Sequence, residues 1–213
     1  AWIFEPEHAT QSAAVEQAGT SEPFPMSAAF AVGSLTLFAS VIYYVFIVNG
    51  SIVWGEIGVR DPMAVSKATF VPAFFIMAGS LLFRLVSRYS NSVQLGTFLT
   101  LFGIGLGGIG LARSVTEMQA ALIIQQTAAG MAVPALIAWA QTKFSFAHRG
   151  RGMGVWTSTF FLGQAISPII VGKIAVATGS MQGAFVTTGA VALAFAVVMM
   201  LVSRGRSTAA QPA

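Results

Sequence analysis

Long apolar runs, separated by short polar and basic breaks, fill the chain from residue 27 onward. A bilayer's hydrocarbon core takes about 20 apolar residues per helix, with a range of about 17–25. Six segments fit: 27–48, 68–83, 93–112, 119–141, 153–177 and 183–202. The second is short, and Lys67 and Arg84 at its ends are expected to snorkel and extend its reach. The runs are continuous rather than alternating, which argues against a β-barrel. The pattern predicts an all-α integral membrane protein with six transmembrane helices.

Residues 1–23 follow no such pattern. They are polar and acidic, with Glu5, Glu7, Glu16 and Glu22. They lack the basic start and apolar middle of a signal peptide. The segment reads as a solvated tail. It reads equally as a linker after an earlier segment, because Trp2, Ile3 and Phe4 look like the end of an apolar run and the first residue is Ala. The expected organisation is a polar segment over 1–23, a six-helix bundle over 24–204 and a tail over 205–213.

Composition sharpens this picture. Only 8% of the 213 residues are charged and 55% are hydrophobic, against about 25% charged in soluble domains. A water-soluble globule and a disordered chain are excluded. The absence of Cys removes thiol catalysis and Cys-based metal sites. The two His, His8 and His148, lie in polar stretches, so no histidine cluster is expected.

The formal net charge of +4 is distributed unevenly. The second-to-third loop (Arg84, Arg88), the fourth-to-fifth loop (Lys143, Arg149, Arg151) and the C-terminal tail (Arg204, Arg206) hold seven basic residues and no acid. The opposite side holds Arg60, Lys67, Arg113 and Lys173, together with Glu56, Asp61 and Glu117. Lys and Arg accumulate on the cytoplasmic face. Both termini are therefore expected in the cytoplasm.

Polar and aromatic residues recur at membrane depth. In the first span Thr36, Ser40, Tyr43, Tyr44 and Ile47 share a helical face. The fourth carries Gln125, Gln126 and Thr127, with Pro134 further in. The fifth carries Trp156, Phe160, Gln164 and Ser167 at helical spacing. Buried amides and hydroxyls need partners, so they should face protein or water. They are either interhelical hydrogen bonds holding the bundle or one wall of an amphipathic cavity. Gly103 and Gly107 form a small-xxx-small pair, and Gly183, Thr187, Ala190 and Ala194 form a stripe; both read as packing faces. Pro134 and Pro168 are expected to interrupt their helices. No Asp, Glu, Lys or Arg sits in the middle of a span, and no span holds His. Proton relays and intramembrane proteases need such groups, so no enzyme and no cofactor is expected.

One stretch carries a resemblance. Arg149-Gly150-Arg151-Gly152 leads into Leu162-Gly163-Gln164-Ala165-Ile166-Ser167-Pro168 and on to Gly172. This RGxG loop followed by FLGQxxSPxxxG resembles the major facilitator superfamily between its tenth and eleventh helices. Gly79 through Arg84 to Arg88 is similar to that family's degenerate GxxxxRxxxR loop after the eighth helix. Ile42-Tyr43-Tyr44-Val45-Phe46-Ile47 resembles the seventh helix of bacterial efflux members. The fifth span also echoes the glycine–proline pattern of drug antiporters, with Ser167 and Val171 in place of two glycines.

The resemblance covers residues 24–204. It implies the C-terminal six-helix half, itself a 3+3 repeat, of a twelve-helix transporter in a bacterial inner membrane. Its expected function is alternating-access movement, as efflux, of a small organic solute. The other half, or a second copy, would close the cavity, and no nucleic acid is involved. Tyr43, Tyr44, Gln125, Gln126, Trp156, Phe160 and Gln164 are the expected lining. Arg84, Arg88, Arg149 and Arg151 would contact helix-end carbonyls and steady one gating state, or simply anchor the loops. Pro134, Gly163 and Pro168 would shape the helices. The rival expectation is a non-transporting six-helix protein or a homodimeric half-transporter.

Overall fold

The computed structural model describes residues 23–209, with side chains described through residue 201. The acidic stretch with His8 and the side chains of Arg204 and Arg206 lie outside the described residues. The helices are α1 (Met26–Glu56), α2 (Pro62–Ala73), α3 (Phe75–Val86), α4 (Asn91–Leu111) and α5 (Val115–Gln141). A 3-10 turn (Phe146–His148), α6 (Arg149–Thr178) and α7 (Met181–Ala209) follow. Among the described residues, six spans are long and apolar enough to cross a membrane, with α2 and α3 together forming one of 25 residues.

The second span corrects the expectation of a short helix. Asp61 caps α2 by accepting from Met63 N (3.3 Å) and Ala64 N (3.0 Å), with Pro62 at the first helical position. The helix therefore begins well before residue 68, and Lys67 lies within it rather than at its end. The first span is also longer than expected, because the apolar face resumes after the polar Asn49 and runs to Glu56.

Pro134 and Pro168 sit inside helices that run on past them. After Pro72 the helix ends at Ala73, and Phe74 closes a tight turn by donating to Val71 O at 3.2 Å. A proline lacks the N–H of the helical ladder and clashes with the carbonyl of residue i−4.

The opposite ends of the bundle are tied differently. At the acidic end, Glu56 at the close of α1 accepts from Met181 N (2.6 Å) and Gln182 N (2.7 Å) with its two carboxylate oxygens. These are unpaired N–H groups of the first turn of α7, and the helix dipole adds to the attraction. Gln182 Nε2 donates to Ala112 O at 2.7 Å, which joins the end of α4 to the same corner. At the basic end, Phe24 stacks on Phe144 with ring centroids 5.8 Å apart.

Between the ends, helices cross on glycine. Gly79 of α3 and Gly130 of α5 abut directly: a methyl group on Gly79 would overlap the Thr127 carbonyl oxygen, and one on Gly130 the Ile76 oxygen. Gly189 of α7 lies against the backbone of Gly103 and Gly107 of α4. The expected Gly103–Gly107 pair is thus a packing site. The expected stripe on the last span is not, since Ala190 and Ala194 are uncovered. The buried face of α7 runs instead through Met181, Ala184, Phe185, Thr188, Gly189, Ala192 and Ala196.

These crossings generate a contrast. Gly79→Ala and Gly130→Ala should each destabilise the bundle by about 1–3 kcal/mol or more, because backbone cannot yield as a side-chain tip can. Gly107→Ala meets open space and should be neutral or stabilising by up to about 1 kcal/mol. Thermal unfolding in detergent separates the two classes.

Candidate functional site: an aromatic cluster and an open pocket

The face of α1 that was read as one stripe divides along its length. Thr36, Ser40 and Tyr44 are buried, whereas Ile47 is uncovered. The lower part is closed by α6: Gly163 abuts Ser40, and Ser167 Oγ donates to Val41 O at 2.9 Å. Gly163 is therefore a close-approach position. Above that contact α6 no longer covers the stripe, and the same face opens into a pocket.

Four of the expected lining residues meet in one cluster. Phe160 is its hub, 5.4 Å from both Tyr43 and Tyr44 by ring centroids and stacked on Trp156 at 5.2 Å. Tyr43 reaches Phe102 of α4 at 6.0 Å. Tilted and edge-to-face pairs of this kind suit the quadrupoles of the rings. Trp156 and Phe160 are buried, and Tyr43 is half-buried. The rings thus join α1, α4 and α6 as packing, and only Tyr43 keeps a partly open surface.

Gln164 does not belong to this stripe. The buried line on α6 runs Gly152, Trp156, Phe160, Gly163, Ser167 and Val171. The periodicity of 3.6 selects Gly163, and Gln164 falls outside as an uncovered residue.

The adjacent glutamines part company as well. Gln125 is buried between α5 and α4, where Gly105 makes room for its backbone, and its Oε1 has no partner. Gln126, one helical step round, faces an open pocket of about 370 Å³ between α1, α2 and α5. From α1 the pocket is lined by Phe46, Ile47, Ser51 and Trp54, and from α2 by Thr69 and Phe70. The Thr69 hydroxyl is held by Val65 O at 2.8 Å. Trp54 is fully buried in the chain, and its Nε1 has no hydrogen-bond partner. The wall is therefore aromatic and aliphatic, and no charged residue lines it. Such a surface holds a flat apolar body and one or two hydrogen-bonding groups, and it offers nothing to a phosphate.

Trp54 and the α2 residues escaped the reading of the sequence. Trp54 lies beyond the expected end of the first span at residue 48. The signal was present in the spacing: Tyr43, Ile47, Gly50, Ser51 and Trp54 continue the helical period past Asn49.

Three of the four arginines lie against aromatic rings. Arg88 lies 5.3 Å from the Tyr89 ring centroid, Arg149 6.0 Å from Phe146 and Arg151 4.6 Å from Phe24. These are cation–π contacts rather than bonds to helix-end carbonyls. Arg84 is uncovered in the last turn of α3. The RGxG turn has a packing reason: Gly152 leaves space for the Phe144 ring, which a methyl group would overlap.

Residues 27–213 match the sequence model described as the Major Facilitator Superfamily. No curated protein matches the chain.

The cluster and the uncovered amide should respond differently to truncation. Phe160→Ala removes the ring on which three others rest and should cost about 3–5 kcal/mol. Gln164→Ala should stay within about 0.5 kcal/mol. Unfolding midpoints in detergent give the comparison.

Proposed function

The chain belongs to the major facilitator superfamily, and on that premise we propose that it forms one six-helix wall of an efflux transporter for small organic solutes. The protein is an integral membrane protein of a family of transporters. The proposal adds alternating access, outward direction, a bacterial inner membrane and cytoplasmic placement of the basic end. The charge asymmetry supports that orientation, since the described basic-end loops carry Arg84, Arg88, Lys143, Arg149 and Arg151 without an acid.

The observation that carries the reading is the pocket between α1, α2 and α5. It pairs the Gln126 amide with the Phe46 and Phe70 rings on a face that the chain itself leaves open, over the buried Trp54. An amide facing hydrocarbon is costly, so this face calls for a covering body. A second six-helix unit, whether another half or a second copy of this chain, would convert the pocket into an enclosed chamber. Two such units rocking about a midplane site expose it to each side in turn.

The lining favours neutral or cationic amphiphiles. Aromatic faces attract cations and stack on flat rings, and one free amide supplies either a donor or an acceptor. The absence of Arg and Lys from the wall disfavours dicarboxylates and phosphates. Coupling to protons would require an acid supplied by the covering unit, because none lines this wall.

Gln126 and Thr69 are the residues to change. Gln126→Ala and Thr69→Val, made in the intact transporter, should alter the relative transport of a panel of amphiphilic dyes while leaving membrane abundance unchanged. Gln125→Ala should instead lower abundance, since its side chain is buried between helices. Unchanged profiles for both pocket variants would sink the site assignment.

A further inference from the structure

Two prolines each deprive a carbonyl of its helical donor, and each carbonyl is met from across a helix seam. In an α-helix the N–H of residue i bonds the carbonyl of residue i−4. Pro72 therefore frees the Ala68 oxygen, and Pro134 frees the Gly130 oxygen. Gln119 Nε2 of α5 donates to Ala68 O at 2.9 Å. Ser80 Oγ of α3 lies 3.3 Å from Gly130 O, and equally 3.3 Å from Ile76 O of its own helix. Ala68 and Gly130 are both buried, and a buried carbonyl needs a donor inside the protein.

The two bonds differ in what they hold. The seam between α3 and α5 is already fixed by the Gly79–Gly130 crossing, and Ser80 adds to it. The orientation of α2 has no such lock. The helical ladder stops at Ala73, and a tight turn at Phe74 joins it to α3. Its packing is against α5, with a minor contact to α3. On α2, Val65, Thr69 and Phe70 line the pocket within a turn of Ala68.

We infer that Gln119 is a positioning residue for the pocket: it replaces the N–H that Pro72 lacks and so sets the angle of the α2 wall. Ser80 meets the carbonyl that Pro134 frees, on a seam that the glycine crossing already holds. The inference rests on the pocket being the solute site, but its test needs no solute. A side-chain donor differs from a backbone one in that it can leave without unwinding a helix. The wall can therefore swing when Gln119 releases Ala68, which a continuous helix would forbid.

The natural absence of Cys allows labels to be placed by substitution alone. Spin labels at Met63→Cys on α2 and Val176→Cys on α6, both at uncovered positions, report the angle of α2 through a pulsed dipolar distance. The full chain in lipid nanodiscs is measured without solute. Gln119→Leu should shift and broaden the distance distribution. In a Pro72→Ala background the same substitution should change nothing, because the restored N–H occupies Ala68 O. An unchanged distribution for Gln119→Leu overturns the inference, and so does an equal shift in both backgrounds. Should Gln119→Leu fail to fold, Gln119→Met with and without Pro72→Ala gives the same cycle, read by the same distance. A shift confined to the Pro72 background supports the inference, and an equal shift in both overturns it. A failure of the dye profiles would remove the pocket as the solute site yet leave these distances standing.

Discussion

Every backbone polar group in a hydrocarbon core must find its partner inside the protein. That constraint runs through the whole bundle. It makes the spans helical, and it makes each helix end and each proline a place where some other residue must answer. Asp61, Ser90 and Ser114 accept from the first-turn N–H groups of α2, α4 and α5. Glu56 does the same for α7 from another helix. Gln119 and Ser80 reach carbonyls that Pro72 and Pro134 leave open. Many polar side chains are thus spent on the backbone, whereas Gln126 faces the pocket.

Without a hydrophobic drive between helices in lipid, association depends on close backbone approach. Glycine supplies it at Gly79–Gly130, at Gly103 and Gly107 against Gly189, and at Gly163 against Ser40. Each crossing fixes where neighbouring side chains go. Gly163 brings α6 onto α1, so the Trp156 and Phe160 rings meet Tyr43 and Tyr44. Where that contact ends, the same stripe of α1 is released to line the pocket. Packing and binding surfaces are consecutive lengths of one helical face, and the boundary between them is set by the partner helix.

The basic end follows another logic. Its cations rest on aromatic rings, with Arg151 on Phe24, Phe24 on Phe144, and Phe144 in the space kept by Gly152. The chain entering α1 is thereby pinned to the turn entering α6. A motif that looks like an electrostatic loop is also a packing device.

Apolar run length was enough to read six spans from the sequence, because the bilayer imposes it on any spanning chain, whereas the resemblance to the family rested on the RGxG and FLGQxxSPxxxG motifs. Helix ends were less legible: Asp61-Pro62 starts α2 in a stretch too polar to register as membrane, and Trp54 lies beyond an interrupting Asn49. The site was legible in part. Tyr43, Tyr44, Trp156 and Phe160 do come together, since an aromatic stripe at 3.6 spacing points one way. Gln125 and Gln126 look alike in sequence, and only the position of α4 puts one under Gly105 and leaves the other in the pocket. Gln164 and Gly163 are separated by where α1 meets α6: Gly163 lies against Ser40, and Gln164 is uncovered. Periodicity along one helix determines which residues share a face. What that face meets is decided by how helices cross, and that depends on contacts between residues far apart in the chain.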